Sequence, residues 1–483
     1  MLNSIKKTIA YAKRNGISAA YYAARERLEN QRQYYDYVSV SDEELFRQIE
    51  ELDAVSKTDK APLFSILVPC YNTNSKFFIE MIESVVAQTY LKWELILADA
   101  SEDDRLEKII DERYKYDSRI KYLKLENNGG ISDNTNEAVK AATGDYCCLL
   151  DHDDVLSPDA LYYFAKEIIK DMDKTATKLP SKCKIALIYS DEDKCDTQMT
   201  RFYEPNIKPD YNLEYLLSNN YICHFTAIKT GIIKANLFRK EYDGAQDYDL
   251  ILRTCLPYSL RNEEKNIRHI PKVLYHWRCH EESTAVNPAS KKYAYEAGRR
   301  AVENVMQANG FNVDVDNLMH VGFYRVEYPE GIFRTRKDIG IIGGKLTDKK
   351  GTVVGGLYKE DAKAMFYGLH KGYSGGFTHA AACRQDAYAV DLRCMRVRKK
   401  LRPLLKEITG LSYYSNKDLL KNKDISADPE DNVMLKAHGK HIIIPDNWDE
   451  DKIRKESIRF CKAVRHLGYR IVWDPEMSEQ RDN

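Results

Sequence analysis

Apolar runs that alternate with segments of helical period form the main pattern of the chain from residue 64 onward. The first four runs cover residues 64–69, 93–98, 120–125 and 146–150, and each is followed by a stretch of helical period. After the first run, one helical face carries Phe78, Ile79, Ile82, Val85 and Val86. Parallel strands joined by such helices form a twisted sheet covered on both faces. The pattern therefore predicts a doubly wound α/β sheet.

Beyond residue 180 the alternation weakens and the predicted elements become mixed. The pattern predicts a strand at 184–189 that ends in the acidic residues 191–193, a helix at 247–256 and a strand at 267–277. A further helix is predicted from 287 to 309, ending at Gly310 as a left-handed C-cap. Strand-like segments at 322–328 and 339–346 and a helix at 456–467 predict a smaller C-terminal α/β unit.

The N-terminal segment is basic and amphipathic. Residues 1–27 contain six Lys and Arg residues and one acidic residue, Glu26, interleaved with apolar positions. Such a segment can lie on an anionic membrane surface, and it can equally pack on its own protein. Contact between residues 1–30 and a membrane is therefore one of two open alternatives.

Composition excludes several classes of protein. The 483 residues are 43% hydrophobic, and 74 Lys and Arg balance 74 Asp and Glu, so no global charge points to nucleic acid. Eleven cysteines without a CxxC pair favour a reducing cytoplasm over a disulfide scaffold. No apolar stretch approaches the roughly 18 residues of a membrane span, and the N-terminus lacks the apolar core of a signal peptide.

Three carboxylates follow the fourth apolar run, at Asp151, Asp153 and Asp154. They are expected at the carboxyl end of a strand, where open α/β sheets bind ligands. Carboxylates so close together repel one another, and Mg²⁺ or Mn²⁺ bound to substrate phosphates would relieve that repulsion. The alternative is a solvated acidic turn before a helix that starts at Ser157 and Pro158. The cluster alone leaves both interpretations open.

Two common nucleotide motifs are missing. The turn after the first strand reads Pro69-Cys70-Tyr71-Asn72 without a GxGxxG, which argues against a dehydrogenase. Residues 340–346 resemble a phosphate loop, but the segment is one residue short and has Leu346 where Ser or Thr would bind magnesium.

Four motifs in order carry a resemblance to a known family. They are residues 68–72 after strand one, 98–101 after strand two, 127–132 with Asn136 beyond it, and the acidic turn 151–154. In this order the sequence resembles the family 2 glycosyltransferases of the GT-A fold, in the branch of O-antigen and rhamnose-containing cell-wall polysaccharides. The resemblance covers residues 35 to about 310. It implies a doubly wound mixed sheet that binds a nucleoside diphosphate sugar.

The resemblance also implies roles for individual residues. Pro69 and Tyr71 would line the base pocket, and Asp99 would bond the pyrimidine. Asp153 would be the main metal ligand, with Asp151 on the metal or the ribose and His280, or less favourably His276, completing the shell. The nucleotide site as a whole would comprise Pro69, Tyr71, Asn72, Asp99, Asn128, Ser132, Asp151 and Arg278, whose guanidinium suits phosphate oxygens.

The acceptor side follows from two further motifs. Residues 244–250 resemble the segment that carries the general base, and because Gln246 replaces the first acid there, Asp247 is the predicted base. Without the family, Asp247 would be interpreted as a helix N-cap, with Asp249 in the first turn. A second acidic motif places Asp191, Glu192 and Asp193, together with His276, near the donor sugar or the acceptor.

The C-terminal part resembles the later half of a second glycosyltransferase copy without its nucleotide half. The predicted organisation is a basic helical segment and linker (1–60), a GT-A catalytic domain (61–285), a helix and connector (286–330) and a non-catalytic unit (331–483). This last unit would serve acceptor binding, packing or assembly, including assembly into a homo-oligomer.

The sequence therefore predicts an inverting glycosyltransferase that depends on Mn²⁺ or Mg²⁺. It would move a sugar, with L-rhamnose the first expectation, from a UDP- or dTDP-sugar to a growing cell-surface polysaccharide or lipid-linked glycan. The expected location is the cytoplasmic face of a bacterial cell membrane. The alternatives are a nucleotidyltransferase, which lacks support because no basic glycine-rich loop follows strand one, and a degenerate sugar-binding or scaffold protein.

Overall fold

The computed structural model describes residues 9, 11–30, 35–177, 179–280, 292–415 and 440–480. The chain divides into two compact units. The nine-stranded unit comprises Tyr34–Tyr211 and Asn220–Val305, and the C-terminal unit comprises Met1–Gln33, Asn212–Asn219 and Met306–Asn483. The roles assigned to the segments 1–60, 61–285, 286–330 and 331–483 stay predictions.

The strands in the described part of the chain are numbered from β1 in sequence order. Those of the nine-stranded unit are β1 Phe64–Cys70, β2 Trp93–Asp99, β3 Ile120–Lys124, β4 Tyr146–Leu149, β5 Val155–Leu156, β6 Leu187–Cys195, β7 Phe202–Asn206, β8 Thr226–Lys229 and β9 Ile267–Arg278. Those of the C-terminal unit are β10 Asp314–Asn317, β11 Tyr324–Glu327, β12 Ile339–Thr347, β13 Val353–Gly355, β14 Leu357–Tyr358, β15 Gln385–Asp386, β16 Ala389–Val390, β17 Arg396–Val397, β18 Tyr413–Ser415, β19 Lys440–Ile442 and β20 Arg470–Gln480.

The α-helices are numbered in the same way. They are α1 Ile17–Asn30, α2 Asp42–Ser56, α3 Ser75–Val86, α4 Arg105–Arg113, α5 Ile131–Ala141, α6 Ala160–Lys174, α7 Leu213–Leu216, α8 Thr230–Asn236, α9 Gln246–Leu260, α10 Lys292–Ala308, α11 Ile332–Thr335, α12 Arg402–Thr409 and α13 Glu450–His466.

The large sheet is mixed, with strand order β3-β2-β1-β4-β8-β6-β9-β5 and β7 paired to β6. Strands β1 to β4 are parallel, β8 is antiparallel to both β4 and β6, and β9 is parallel to β6. The side chains of β1 and β2 are almost all buried, because helices cover both faces of the parallel part. This arrangement brings the ends of β1, β2 and β4 to one edge of the sheet.

Most predicted elements of this unit are confirmed within a few residues. One strand differs: the acidic residues 190–193 lie inside β6 and do not follow it. The reason is that β9 and β7 both continue to pair with β6 beyond Tyr189, which extends the strand to Cys195. The predicted helix start at 287 lies outside the described residues, whereas the end of α10 at Ala308 and the positive φ of Gly310 (84°) agree with the prediction.

The C-terminal unit is built on a five-stranded sheet with order β13-β12-β20-β15 and β17 paired to β12. Helix α13 contributes Phe460 and Val464 to a core that includes Trp473. The glycines that resembled a phosphate loop lie inside the fully buried β12. A side chain at Gly344 would overlap the carbonyl of Met477, so close strand packing explains this glycine. The interpretation as a partial second copy stays a prediction.

The described part of the N-terminal segment packs within the C-terminal unit. Glu26 on α1 accepts backbone hydrogen bonds from Ser374 (2.9 Å), Gly375 (2.7 Å) and Gly376 (2.8 Å), and Tyr22 stacks on His370. These contacts support the packing alternative for residues 17–30, and membrane contact stays a prediction. In the described part of the chain, no helix has the length and apolar character needed to cross a membrane.

Candidate active site

The loops after β1 and β2 are joined by a chain of hydrogen bonds. Asn72, which has a positive φ of 50°, donates its backbone N–H to Ser101 Oγ (2.9 Å). Ser101 in turn donates its hydroxyl to Asp99 Oδ1 (2.6 Å). Pro69 is partly buried at the end of β1, and Tyr71 is 43% exposed beside it. The predicted base-pocket residues therefore lie on two adjacent strand ends.

Asp99 is fully buried and satisfied by its own protein. Besides the bonds from Ser101, its Oδ2 accepts hydrogen bonds from the Tyr122 hydroxyl (2.6 Å) and from Lys124 Nζ (3.2 Å). Burial alone would raise the pKa of Asp99, but the hydrogen bonds from Ser101 and Tyr122 outweigh it, and the pKa is lowered. The carboxylate is therefore charged and held rigidly.

The asparagine-glycine turn before α5 is held by its own side chains. Asn128 accepts the Gly130 N–H (3.0 Å), and Ser132 donates to Asp243 Oδ1 (2.5 Å). Gly130 has a φ of 97°, and a Cβ there would lie 2.8 Å from an oxygen of Asp243. In this structure Asn128 and Ser132 shape the turn. That Asn128 and Ser132 also contact a nucleotide stays a prediction.

The acidic turn between β4 and β5 separates its carboxylates into two environments. Asp151 and Asp153 are partly exposed, whereas Asp154 is buried. Partial burial raises the pKa of Asp151, and the nearby charges of Asp153 and Asp247 raise it further, while His224 opposes them. The turn therefore concentrates negative charge at a solvent-facing position, and a cation would relieve it.

Asp154 serves the structure of the turn. Its two oxygens accept hydrogen bonds from the Tyr275 hydroxyl (2.5 Å) and from the Arg278 backbone N–H (2.7 Å). Burial, and then the charges of Asp153 and Asp151, raise its pKa well above the usual range. These bonds tie the acidic turn to β9.

Replacing Asp154 with alanine is expected to destabilise the fold. The change leaves the Tyr275 hydroxyl and the Arg278 N–H buried without partners, which costs about 1–3 kcal/mol for each group. Urea denaturation measures the effect, with Asp111→Ala on the exposed face of α4 as the matched carboxylate control. An unfolding free energy equal to that of the control would contradict a structural role for Asp154.

Arg278 is placed in the interior, contrary to the expected diphosphate contact. Its side chain has no exposed surface, and it donates to the carbonyls of Asp153 (2.7 Å) and Thr197 (3.0 Å). The guanidinium also pairs with Glu80 (2.7 Å) and lies 4.5 Å from the Phe77 ring centroid. With its donors directed at protein groups, Arg278 holds the acidic turn in place and does not face a phosphate here.

The two histidines near the end of β9 differ in their surroundings. His280 contacts Asp153 Oδ2 through Nε2 (2.8 Å), so it lies beside the acidic turn, and its role in a metal shell stays a prediction. His276 is buried, and its Nδ1 contacts Asp193 Oδ1 (2.6 Å). The His276 ring also packs edge-on against Tyr37. His276 is therefore enclosed by protein groups and does not reach the acidic turn.

The acidic residues of β6 are paired inside the protein. Asp191 contacts His269 (2.8 Å), and Asp193 accepts from the Tyr35 hydroxyl (2.8 Å) as well as contacting His276. Both carboxylates are buried because β6 lies between β8 and β9 in the sheet. Their expected contact with donor sugar or acceptor does not fit this placement, since both carboxylates are buried and bonded to protein groups.

Glu192 is bound differently, through Lys208. Its carboxylate accepts from Asn206 (3.0 Å) and lies 3.4 Å from the buried Lys208 Nζ. Lys208 also donates to the carbonyls of Ile222 (2.7 Å) and His224. Glu192 thus helps to hold the loop before β8, which contacts Asp247.

Asp247 lies in the first turn of α9 and keeps one free carboxylate oxygen. Its Oδ2 accepts from Asn220 Nδ2 (2.7 Å) and from the Cys223 thiol (3.4 Å), and no described residue donates to Oδ1. Asp249, two residues on, is fully buried and bonded to Arg239 and Arg253. Of these two carboxylates, only Asp247 is available to a ligand. The charge of Asp247 raises the pKa of Asp151, so the two carboxylates lie near each other, and the region around them is here called the acidic cleft.

Three residues of this cleft were not predicted: Asn220, His224 and Lys208. His224 Nε2 lies 3.9 Å from Asp151 Oδ2, and its ring stacks on Tyr275 at 4.6 Å. Polar residues in a loop before a strand are a weak signal, and no motif in the sequence marks these three. Their positions depend on the pairing of β8 between β4 and β6.

The cleft contains buried polar atoms without protein partners. Among the described residues these include His152 Nδ1, His224 Nδ1 and Asn220 Oδ1. Native proteins rarely leave such atoms unsatisfied. Their clustering around Asp151 and Asp247 indicates that a polar ligand completes the site.

The described residues provide only part of the ligand set that a divalent cation needs. No group of three His, Cys, Asp or Glu side chains in the described residues converges on one metal position. Mg²⁺ is commonly bound by one or two carboxylates together with substrate phosphates and water, and Asp151 and Asp153 provide two such carboxylates. The residues therefore suit a metal that arrives with a phosphate ligand.

Comparison with known proteins finds a family model that matches part of this sheet. Residues 65–234 match the family model described as glycosyl transferase family 2. The chain is similar to protein y4gI of Sinorhizobium fredii, with 39% identity over 253 residues, which are 52% of this chain and 26% of the relative. It is also similar to the O-antigen biosynthesis protein RfbC of Myxococcus xanthus, with 32% identity over 279 residues, 57% of this chain and 20% of the relative.

A third relative is the chondroitin synthase of Escherichia coli, with 27% identity over 287 residues, 59% of this chain and 36% of the relative. In all three comparisons the chain spans only 20–36% of the relative's length. The likeness therefore concerns one domain of larger proteins. The strand order of the mixed sheet agrees with the predicted GT-A fold.

Proposed function

We propose that this protein transfers a sugar from a nucleoside diphosphate donor to a growing cell-surface polysaccharide or lipid-linked glycan, because residues 65–234 match the model of glycosyl transferase family 2. The observation that carries the proposal is one cleft that holds two carboxylates of an acidic turn, Asp151 and Asp153, beside the available carboxylate of Asp247. A transferase needs a cation-binding group for the leaving diphosphate and a separate base for the acceptor hydroxyl. The cleft offers both.

The donor side is proposed to use the acidic turn. Asp153 and Asp151 would hold Mn²⁺ or Mg²⁺ together with phosphate oxygens of the donor, and His280 would orient Asp153 through its contact with Oδ2. When bound, the metal would neutralise the charge that develops on the leaving diphosphate. Tyr71 would contact the base, and Asp99 would position the loop beside it through Ser101, which binds both Asp99 and the backbone of Asn72. The pyrimidine of a UDP- or dTDP-sugar is our preferred donor base. Arg278 is a positioning residue, because its guanidinium fixes the Asp153 carbonyl.

The acceptor side is proposed to use Asp247. Oδ2 is held by Asn220, which would leave Oδ1 to accept the proton of an acceptor hydroxyl. The hydroxyl oxygen then attacks the anomeric carbon as the bond to the diphosphate breaks. One displacement inverts the anomeric configuration and needs no protein nucleophile. Lys208 and Glu192 keep the loop that carries Asn220 in position.

The substrates are proposed from chemistry and from similarity together. The Myxococcus relative is an O-antigen biosynthesis protein, and this similarity supports a cell-surface polysaccharide as the product. L-rhamnose as the transferred sugar and the cytoplasmic face of a membrane as the location remain our expectations. The residues paired inside the protein, Asp191, Asp193 and His276, are assigned structural roles.

A panel of UDP- and dTDP-sugars with Mn²⁺, Mg²⁺ or a chelator tests the proposal. We expect release of a nucleoside diphosphate from one or a few donors, and loss of that release with the chelator. Release of pyrophosphate from a nucleoside triphosphate and a sugar phosphate would instead indicate a nucleotidyltransferase. Donor binding without any turnover, even with acceptor glycans, would indicate a sugar-binding scaffold.

A further inference from the structure

The C-terminal unit contains a cavity with an unusual charge. The cavity has a volume of about 240 Å³ and lies at β17, the start of α12 and β18. Four of its seven lining residues are Arg or Lys, and none is acidic. The lining includes Phe333, Arg396, Arg398, Lys399, Arg402 and Tyr413.

One of the cationic side chains, Arg398, is bound extensively by the protein itself. Arg398 donates to the carbonyls of Ile339 (2.6 Å), Phe333 (3.0 Å) and Arg336 (2.5 Å), so its guanidinium ties three backbone segments together. These hydrogen bonds of Arg398 stabilise the wall of the cavity. The remaining cations require another explanation.

Arg396 and Arg402 lack carboxylate partners among the described residues. Arg396 Nε is buried without a hydrogen-bond partner. Arg402 makes a long contact from Nε to the Val397 carbonyl (3.5 Å), and its guanidinium lies 4.4 Å from the Tyr413 ring centroid. The Tyr413 hydroxyl is also buried, and it has no hydrogen-bond partner of ordinary geometry among the described residues. Buried donors left unpaired destabilise a protein, so these groups point to a ligand.

The position of the cations strengthens this argument. Lys399, Lys400 and Arg402 stand immediately before and at the start of α12, whose first turn contains no acidic residue. The positive end of the helix dipole makes cations unfavourable there and anions favourable. Folding stability alone would favour Asp or Glu at these positions. A bound anion would reverse the unfavourable interaction.

The aromatic side chains indicate what carries the anion. The ring centroid of Phe333 lies 5.1 Å from the Arg398 guanidinium, and that of Tyr413 lies 4.4 Å from the Arg402 guanidinium. An apolar ring face beside a planar cationic fork suits a sugar ring that bears an oxyanion. The cavity is smaller than the roughly 300–1,000 Å³ of drug-sized pockets, so it can hold one residue and not a polymer.

We propose that this cavity binds a single anionic sugar, with its carboxylate or phosphate on Arg396 and Arg402 and its ring against Phe333 and Tyr413. If the protein is a glycosyltransferase as proposed above, this sugar is a residue of the acceptor glycan, held by the C-terminal unit. The cavity is then an acceptor-binding site separate from the acidic cleft.

Calorimetry with the full-length protein tests the site directly. The probes are methyl β-D-glucuronide, glucose 6-phosphate, the neutral methyl β-D-glucoside and inorganic phosphate. We expect one or both anionic sugars to bind, with the neutral glucoside at least about tenfold weaker, because a charged hydrogen bond is lost. Whichever anionic sugar binds more tightly identifies the oxyanion. Binding of neither sugar, or equal binding of the glucoside, would overturn the proposal, and phosphate as tight as the sugars would remove the role of the ring.

The variants Arg396→Gln and Arg402→Gln are each expected to weaken binding of the anionic sugar roughly tenfold or more. Arg459→Gln, on the exposed face of α13 and 54% exposed, is the matched control and should bind as the wild type does. Neither cavity variant should be less stable to heat than the wild type, because each replaces a cation that has no carboxylate partner among the described residues. Unchanged affinity in both would place the sugar elsewhere and refute this site.

Donor hydrolysis separates this proposal from the proposed function. The cavity variants should hydrolyse the donor at the wild-type rate, whereas their KM for an anionic acceptor should rise. Sugar binding at the cavity in a protein without transferase activity would support the site and refute only the proposed function. Transferase activity without sugar binding at the cavity would refute only the site.

Discussion

Asp153→Ala is expected to lower turnover by roughly a thousandfold or more and to remove metal-dependent donor binding. The reason is that a metal at a developing diphosphate supplies several kcal/mol of charge stabilisation, and each 1.4 kcal/mol is about tenfold in rate. Asp153 is proposed as its main ligand. Isothermal titration calorimetry of the donor, with and without Mn²⁺, measures the binding loss, and nucleoside diphosphate release measures the rate.

The fold of this variant should remain intact. The Asp153 carboxylate contacts His280 and lies near His152, and both histidines are partly exposed. The backbone carbonyl that accepts from Arg278 is kept in the alanine variant. The free energy of unfolding should therefore change little, in contrast to Asp154→Ala. Metal-dependent donor affinity equal to that of the wild type would refute the metal assignment.

Asp247→Asn is expected to lower turnover by roughly a hundred- to ten-thousandfold, the usual effect of a positioned general base. An amide is nearly isosteric with the carboxylate and can still accept from Asn220, but it cannot take a proton at the position of Oδ1. Donor affinity should stay close to that of the wild type, because Asp247 is not proposed to hold metal or nucleotide. Steady-state kinetics and donor calorimetry together measure this separation of rate from binding.

The control for this variant is Asp111→Asn, an exposed carboxylate of α4. It should keep full activity, which excludes a general effect of one lost charge. If Asp247→Asn kept more than about a tenth of the turnover, the base would have to be another group. Asp249 would be a poor substitute, because Arg239 and Arg253 bind both of its oxygens. Glu192, which lies near the loop of Asn220, would then be the next candidate.

The sequence by itself determined the sheet and the location of the chemistry. Apolar runs of strand length followed by helical periods mark β1 to β4, because burial on both faces requires continuous apolar strands. Polar residues directly after those runs mark the edge of the sheet where ligands bind. Asp99, Asp151, Asp153 and Asp247 could therefore be selected as candidates from local pattern and family resemblance, without distances.

Only the tertiary structure decided which charged side chains remain available to a ligand. Asp153 and Asp154 are neighbours in sequence, yet one is partly exposed and the other is enclosed by Tyr275 and the Arg278 backbone. The residue type of Arg278 suits a phosphate, but in the structure its guanidinium donates to the carbonyls of Asp153 and Thr197. Partners more than a hundred residues away are invisible to local pattern, and they determine whether a charge is used internally.

The tertiary structure also decided how distant segments combine. Residues 212–219 lie in the middle of the sequence of the nine-stranded unit but belong to the C-terminal unit, together with the first 33 residues. In that unit Glu26 is held by backbone N–H groups of residues 374–376. The basic cavity likewise depends on Arg396, Arg402 and Phe333 meeting across separate elements. Periodicity reports which face of an element is buried, whereas the identity of the buried partner depends on long-range packing, and this is the physical reason that the sequence could not supply it.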